Sequence, residues 1–214
     1  MQVILTGANR GIGAEIQTQM TARGDTVIGT SRDGSTGHML DVTNPESLHA
    51  FAALQSGPAD LLICNAGVYL DKGHDLDTGF DAAAWADSFA VNVAGVFQTI
   101  QTLLPQLAQS SAPKIAIIAS RMGYLPESKG GAYIYRASKA AAINLAGNLA
   151  ADLKPRGIAV AAYHPGFVQT DMGGAAADID AATSAAGLIA RFDDLSVTTT
   201  GTFQNYDGTL WPID

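Results

Sequence analysis

The sequence predicts an α/β fold: one domain with a doubly wound, mainly parallel sheet of about seven strands. Three observations carry that expectation. Short apolar runs alternate with helix-like segments along the whole chain. A glycine-rich turn, TGANRGIG at residues 6–13, follows the first apolar run and opens the first helix. No internal repeat and no Pro/Gly/Ser-rich linker divides the 214 residues, a length that suits one domain.

Each element has its own signal. QVILT (2–6) is a short apolar run ending in glycine, as a buried parallel strand does. Helical sequence follows over 11–23, and a second strand over 25–31. A third strand is expected over 37–42, then a helix from NPESLHAFAAL, with Pro45 in its first turn. The fourth strand spans 59–67 and runs into a turn. A long helix covers 81–108, and PKIAIIAS (113–120) is the fifth strand. Helix follows over 133–153 and strand over 157–166. A small-residue stretch at 173–187 reads as mobile, precedes a helix ending near Asp194, and leads to a last strand within 201–208. One interval is irregular. About six residues, RDGSTG (32–37), separate the second and third strands, whereas a parallel crossover normally takes a dozen or more. Either the third strand is not parallel, or its crossover is a bare loop lacking the usual helix.

Composition excludes several classes of function. Apolar residues make up 47% of the chain, enough for a full core, and 23 glycines predict many tight turns. A net charge of −8 disfavours nucleic acid as a partner, so an anionic ligand must be held by local cations or helix ends. The single cysteine, Cys64, lies in a predicted central strand and reads as a small buried apolar residue. The four histidines lack metal-ligand spacing, so no metal site is expected, and His164, before Pro165, reads as structural. No run approaches the length of a membrane span, and the first residues read directly as strand; a soluble cytoplasmic protein is the expectation.

Two constellations carry chemistry. In the glycine loop, Gly7 permits a tight turn, while Gly11 and Gly13 let backbone approach a ligand and the sheet. The helix that follows presents free amides and positive dipole potential, which suit a pyrophosphate. In YIYRASK (133–139), Tyr135 precedes Lys139 by four residues, so both lie on one helical face. An ammonium there favours the phenolate and is expected to lower the Tyr135 pKa. Tyr133 has Ala137 four residues on, lacks that partner, and reads as a wall of the site or a packing residue.

The G-x-x-x-G-x-G spacing, NAG at 65–67, VNVAG at 91–95, Ser120 at the end of the fifth strand, YRASK at 135–139 and HPGFVQT at 164–170 together resemble the short-chain dehydrogenase/reductase family. The likeness is greatest to small NADPH-dependent carbonyl reductases of the sniffer and C-factor type. It covers nearly the whole chain and implies a Rossmann-type, dinucleotide-binding domain over 1–214, with a substrate lid at about 171–190 that Gly173 and Gly174 open. The implied catalytic residues are Asn92, Ser120, Tyr135 and Lys139. Tyr135 would be the acid/base, Ser120 a second donor to the substrate oxygen, and Lys139 the holder of the nicotinamide ribose. Asn92 would disturb its helix and bind a water linked to Lys139. The implied cofactor site takes Gly7, Asn9, Arg10, Gly11, Ile12 and Gly13 from the loop, with Ser31 and Arg32 at the end of the second strand. Asp41 and Val42 would flank the adenine, and Asn65, Ala66 and Gly67 follow the fourth strand. Pro165, Gly166, Val168 and Thr170 belong to the segment that meets the nicotinamide.

Charge selects the cofactor. An NAD site usually ends its second strand with an acidic residue. Here the strand ends TSRD, and Arg32 and Arg10 are expected to read the 2′-phosphate of NADP(H), with NAD(H) the lesser substrate; an Arg32–Asp33 surface pair is the bland alternative. The expected activity is hydride transfer between NADP(H) and a small carbonyl or alcohol. A non-catalytic NADP-binding regulator and an epimerase or dehydratase of the same fold are the alternatives. Relatives pair through the helices at 81–108 and 133–153, so a homodimer or homotetramer is expected.

Overall fold

The computed structural model describes residues 1–213. Its order is β1 (Gln2–Thr6), α1 (Gly11–Ala22), β2 (Thr26–Ser31), β3 (His38–Met39), α2 (Pro45–Ala53), β4 (Leu61–Cys64), α3 (Ala82–Phe89), α4 (Val96–Leu107), β5 (Lys114–Ile118), α5 (Tyr133–Leu153), β6 (Ala159–His164), α6 (Ala181–Asp194), β7 (Phe203–Asn205) and β8 (Leu210–Trp211). The strands form one sheet in the order β3-β2-β1-β4-β5-β6-β7-β8, parallel except for the antiparallel β7–β8 pair. The chain reverses direction across the sheet between β1 and β4. Ligands of open α/β sheets bind at the carboxyl ends of the strands beside such a switch.

Two cores follow from the alternation of side chains along buried strands. Val3 and Leu5 of β1 face Ile16 and Met20 of α1 and Leu188 and Phe192 of α6. Ile4 points the other way, into a layer with Ile100, Leu103 and Leu107 of α4 and Ala142, Ala146 and Ala150 of α5. The small alanines, spaced by four, let the α5 backbone lie close to the sheet.

The structure decides the open β2–β3 interval and departs from the sequence reading in three further places, each with a physical cause. β3 is parallel to β2, in the register Thr30↔His38, and its crossover is a bare loop. Asp33 accepts from the amide and hydroxyl of Ser35, and the Thr36 hydroxyl donates to Gly29, so side chains replace a helix in ordering that loop. The expected long helix over 81–108 is interrupted by a π-helical turn, Ala90–Gly95, which separates α3 from α4. The segment expected to be mobile is partly helix: α6 begins at Ala181, capped by Asp180, so the loop part of the expected lid is 171–180. The sheet gains an eighth strand, β8, two residues long and too short to leave a period in the sequence.

Cys64, at the end of β4, is buried, and desolvation pushes its thiol up to about 12. The folded protein is therefore expected to resist alkylation by iodoacetamide at pH 8 and to react fully once unfolded in guanidinium; a thiol titration of native protein showing fast modification would contradict the burial of β4.

Candidate functional site

The glycine loop is shaped by close approach. A Cβ on Gly13 would lie 2.1 Å from the Gly7 carbonyl oxygen, so no side chain fits there, and Gly7 itself has φ +68°. Asn65 locks the turn by donating from Nδ2 to the carbonyls of Gly7 (2.8 Å) and Thr6 (3.0 Å), and the amides of Asn65 and Ala66 bond the Thr6 hydroxyl. Asn65 and Ala66 thus act on the loop from beneath it. The N-terminus of α1 carries no side-chain cap and no acidic residue in its first turn, which leaves its amides open to an anion.

The two arginines separate. Arg10 reaches Asp171 (2.9 Å), both largely exposed, because the start of α1 abuts the segment after β6, where Gly11 faces Thr170. In this arrangement Arg10 is paired with a carboxylate and Arg32 is not. Arg32, exposed beyond the end of β2, makes no salt bridge among the described residues, Asp33 being occupied by Ser35. Its charge helps to hold the Asp41 carboxyl below its usual range, behind the larger effect of the Thr43 hydroxyl. Val42 packs against Gly95 of the π-helical turn.

Ser120, Tyr135 and Lys139 converge at the carboxyl end of β5. Ser120 is 5% exposed and Tyr135 8%. Burial pushes the Tyr135 phenol up to about 12, with the nearby Ser120 hydroxyl acting the other way. Lys139 is lowered to about 8 by burial; its Nζ donates to the Ile118 carbonyl (2.9 Å) and stands 5.8 Å from the Tyr135 ring centre. The expected lowering of Tyr135 by Lys139 is therefore overturned in this arrangement: the ammonium turns to a backbone carbonyl, and desolvation dominates the phenol. Gly123 seats the turn after Ser120 directly on α5, since a Cβ there would lie 2.4 Å from the Lys139 carbonyl carbon.

Asn92 sits in the π-helical turn, 1% exposed, and spends its amide on the protein. Oδ1 accepts from the Val68 amide, while Nδ2 donates to the Val68 carbonyl and the Ser138 hydroxyl, all at 2.9–3.0 Å. It ties the loop after β4 to α5. Gly67 lies against both Asn92 and Lys139, where a side chain would crowd either.

Sequence reasoning missed Asp71. Helix α5 follows Ala132, a non-glycine residue at φ +47° with no side-chain cap of its own. The carboxylate of Asp71, 2% exposed, supplies the cap, accepting from the amides of Ile134 (2.8 Å) and Tyr135 (3.2 Å). Its signal is hidden because the capping residue comes from a distant loop. Tyr69, two residues earlier, stacks on the Tyr135 ring at 4.3 Å between centroids. Tyr133 is absent from the cavity and packs edge-on against Phe80, which settles it as a packing residue.

A cavity of about 520 Å³ opens over Ser120 and Tyr135. Ile12, Pro165, Gly166, Val168 and Thr170 line it, with Tyr69, Met172, Tyr206 and Trp211, which the sequence did not single out. The 171–180 segment folds over it. Met172 brings its sulfur to 4.0 Å from the Tyr135 hydroxyl, and its carbonyl accepts from Lys72 (3.0 Å).

Sheet order, glycine turn and cavity define a Rossmann-type α/β protein. The chain belongs to the short chain dehydrogenase family, whose model matches residues 1–180. It is 39% identical over 168 residues to the C-signal of Myxococcus xanthus, covering 77% of this chain and 99% of that one. The NADPH-bound carbonyl reductase from chicken fatty liver superposes with a TM-score of 0.87 at 28% identity, covering 98% of each chain. The carbonyl reductase Sniffer of D. melanogaster gives 0.88 at 25%, with the same coverage.

Two hydrogen bonds to a buried carboxylate hold the start of α5. Asp71→Ala is expected to lower the free energy of unfolding by about 2–3 kcal/mol, and Asp71→Asn, which keeps one acceptor, by about half of that. Urea melts of both variants test this; wild-type stability in Asp71→Ala would show that the cap contributes nothing.

Proposed function

We propose that the protein is an NADP(H)-dependent oxidoreductase that reduces a carbonyl group on a small molecule. The observation that carries this reading is that the Ser120 and Tyr135 hydroxyls line one cavity with the buried ammonium of Lys139 beside them. The cofactor fits the residues present. The uncapped start of α1 and the turn at Gly7 and Gly13 suit the pyrophosphate, and Arg32, free of a carboxylate partner among the described residues, suits the 2′-phosphate. NADPH, when bound, supplies the hydride.

The chain's own residues manage the oxygen. A carbonyl that gains hydride develops negative charge on oxygen, which needs donors already in place. Ser120 and Tyr135 provide two hydroxyls on the cavity wall. A phenol held near 12 is fully protonated at neutral pH and ready to donate. As its proton leaves, Lys139 stabilises the phenolate from below. Asn92 holds the Val68 loop and α5 in register, and so keeps Tyr69 stacked on Tyr135. The 171–180 segment covers the reacting groups and limits water.

Tyr135→Phe is expected to lower turnover roughly 10²–10⁴-fold with NADPH binding largely intact, while Tyr133→Phe keeps most activity. Steady-state rates with a panel of activated ketones, aldehydes and quinones test the function and the assignment together; a dead Tyr133→Phe beside an active Tyr135→Phe would reverse it. Lys139 is charged below about 8 and loses its proton as pH rises through that value, so reduction should decline above it. A rate profile flat to pH 10 would remove the ammonium from the mechanism. For the cofactor, Arg32→Ala should weaken NADPH about ten- to a hundredfold and leave NADH nearly unchanged, since a hydrogen bond to a charged group is worth about 1.5–3 kcal/mol. Equal weakening of both, read as dissociation constants at one salt concentration, would defeat the phosphate-recognition argument.

A further inference from the structure

The cavity's charge differs in sign from that of the chain. The protein carries −8 overall, yet the α5 side of the cavity is lined by Arg121, Lys129 and Arg136 against one carboxylate, Glu127. Arg121 and Glu127 neutralise each other in a 2.6 Å salt bridge. Asp178, the other acidic lining residue, is exposed and comes from the covering segment. His164 adds no charge near neutral pH, because burial, with Arg121 nearby, lowers it to about 4. Arg136 and Lys129 remain, neither in a salt bridge among the described residues.

Arg136 is the better placed of the two. It follows Tyr135 in α5 and is half-buried. Its Nε donates to the Gly131 carbonyl (3.1 Å) and its Nη1 to the Met122 carbonyl (3.2 Å). Those bonds fix the guanidinium without neutralising it and use two of its five N–H donors. Tyr69 lines the same cavity and feels that charge. Burial and then Asp71 raise that phenol, and Arg136 draws it back down. Tyr69 in turn stacks on Tyr135. A fixed guanidinium with no salt bridge among the described residues thus stands on the wall of the cavity that Ser120 and Tyr135 also line. A neutral substrate closing over it would desolvate the charge for no return, whereas a carboxylate matches a guanidinium's paired donors. If Arg136 served only to brace the 121–132 loop, its two carbonyl bonds would suffice and substrate charge would be irrelevant.

We propose that Arg136 is an anion-recognition residue, and that the substrate is a carbonyl compound bearing a carboxylate within reach of the reacting group. This rests on the carbonyl-reduction reading for the carbonyl, while the anion site can be tested without turnover. Benzoylformate and its methyl ester differ in charge at one position and share the ketone. With NADPH, kcat/KM is expected to favour the acid at least tenfold. Arg136→Gln, which keeps N–H donors for the two carbonyls and removes the charge, should reduce that acid-to-ester ratio by about ten- to a hundredfold. Arg136→Lys should restore part of it. In parallel, benzoate titrated calorimetrically into the wild-type NADP⁺ complex should bind, and should bind at least tenfold more weakly to Arg136→Gln and detectably more tightly to Arg136→Lys than to Arg136→Gln. An unchanged ratio with both substrates reduced overturns the anion site and leaves the reductase reading standing. Reduction of neither substrate nor any panel carbonyl, with benzoate still bound through Arg136, sinks the reductase reading and upholds the anion site. Benzoate binding equal in wild type and Arg136→Gln, or absent from both, overturns the proposal, and thermal melts confirm that each variant is folded before it is scored.

Discussion

An ammonium taken from water into a protein interior loses several kcal/mol of solvation unless other groups compensate it, and Lys139 is 5% exposed. The Ile118 carbonyl takes one of its protons. That carbonyl is available only because Lys139 stands at the carboxyl end of β5, where the ladder stops, and because α5 crosses that end closely. The close crossing requires the alanine face of α5 and the seat at Gly123. Gly67 has no side chain where Lys139 and Asn92 approach it, and Asn92 fixes the backbone on the far side. Loop, helix and strand therefore meet at one buried charge, and a shift of any of them would strand it.

Much of this was legible in the residues because it is local. The four-residue spacing put Tyr135 and Lys139 on one face, and α5 begins and ends where its pattern does. The glycine turn and the strand alternation are also local, and the sheet followed from them. What the sequence hid is tertiary. Asn92 was readable as a poor helix former, but the π-helical turn that rotates it toward Val68 and Ser138 depends on those partners being there. Asp71 caps a helix that starts 62 residues later, which no capping box reveals. The pairing of Arg10 with Asp171, which the chain after β6 brings beside it, left no trace in the glycine-loop sequence. The lowered phenol expected from the Tyr–Lys spacing failed for a related reason: spacing gives proximity, but burial and the competing Ile118 carbonyl decide the titration.

The shortened β2–β3 crossover links an oddity of the fold to the proposed cofactor choice. A helix in that interval would cover the end of β2 and bring a capping residue of its own. The bare loop instead folds onto itself through Asp33, Ser35 and Thr36. Asp33, which the sequence offered as a partner for Arg32, is consumed by that turn and held near 2 by hydroxyls and an amide. Arg32 is left exposed, without a salt bridge among the described residues, just beyond the carboxyl end of β2, where the adenosine half of the proposed dinucleotide would lie. Serine-rich loop chemistry, in effect, frees the arginine.

An acidic chain proposed to take an anionic cofactor must concentrate its few cations. Seven of the twelve, Arg10, Arg32, Lys72, Arg121, Lys129, Arg136 and Lys139, belong to the loops and helix starts at the carboxyl end of the sheet or to the cavity wall. Those elsewhere include Arg23, which spends its charge on Asp25 and Asp193, and Lys114, which bonds the last carbonyls of α6. Within the cluster, pairing sorts the charges further. Arg10 and Arg121 are matched to carboxylates and serve the architecture. Arg32 and Arg136 have no carboxylate partner among the described residues, the first beyond the carboxyl end of β2 and the second on the cavity wall. In a negatively charged molecule, an unmatched guanidinium makes a locally positive region that attracts an anion. In the proposed reaction Arg32 meets the dinucleotide and Arg136 the substrate, so each unmatched charge has its own anion.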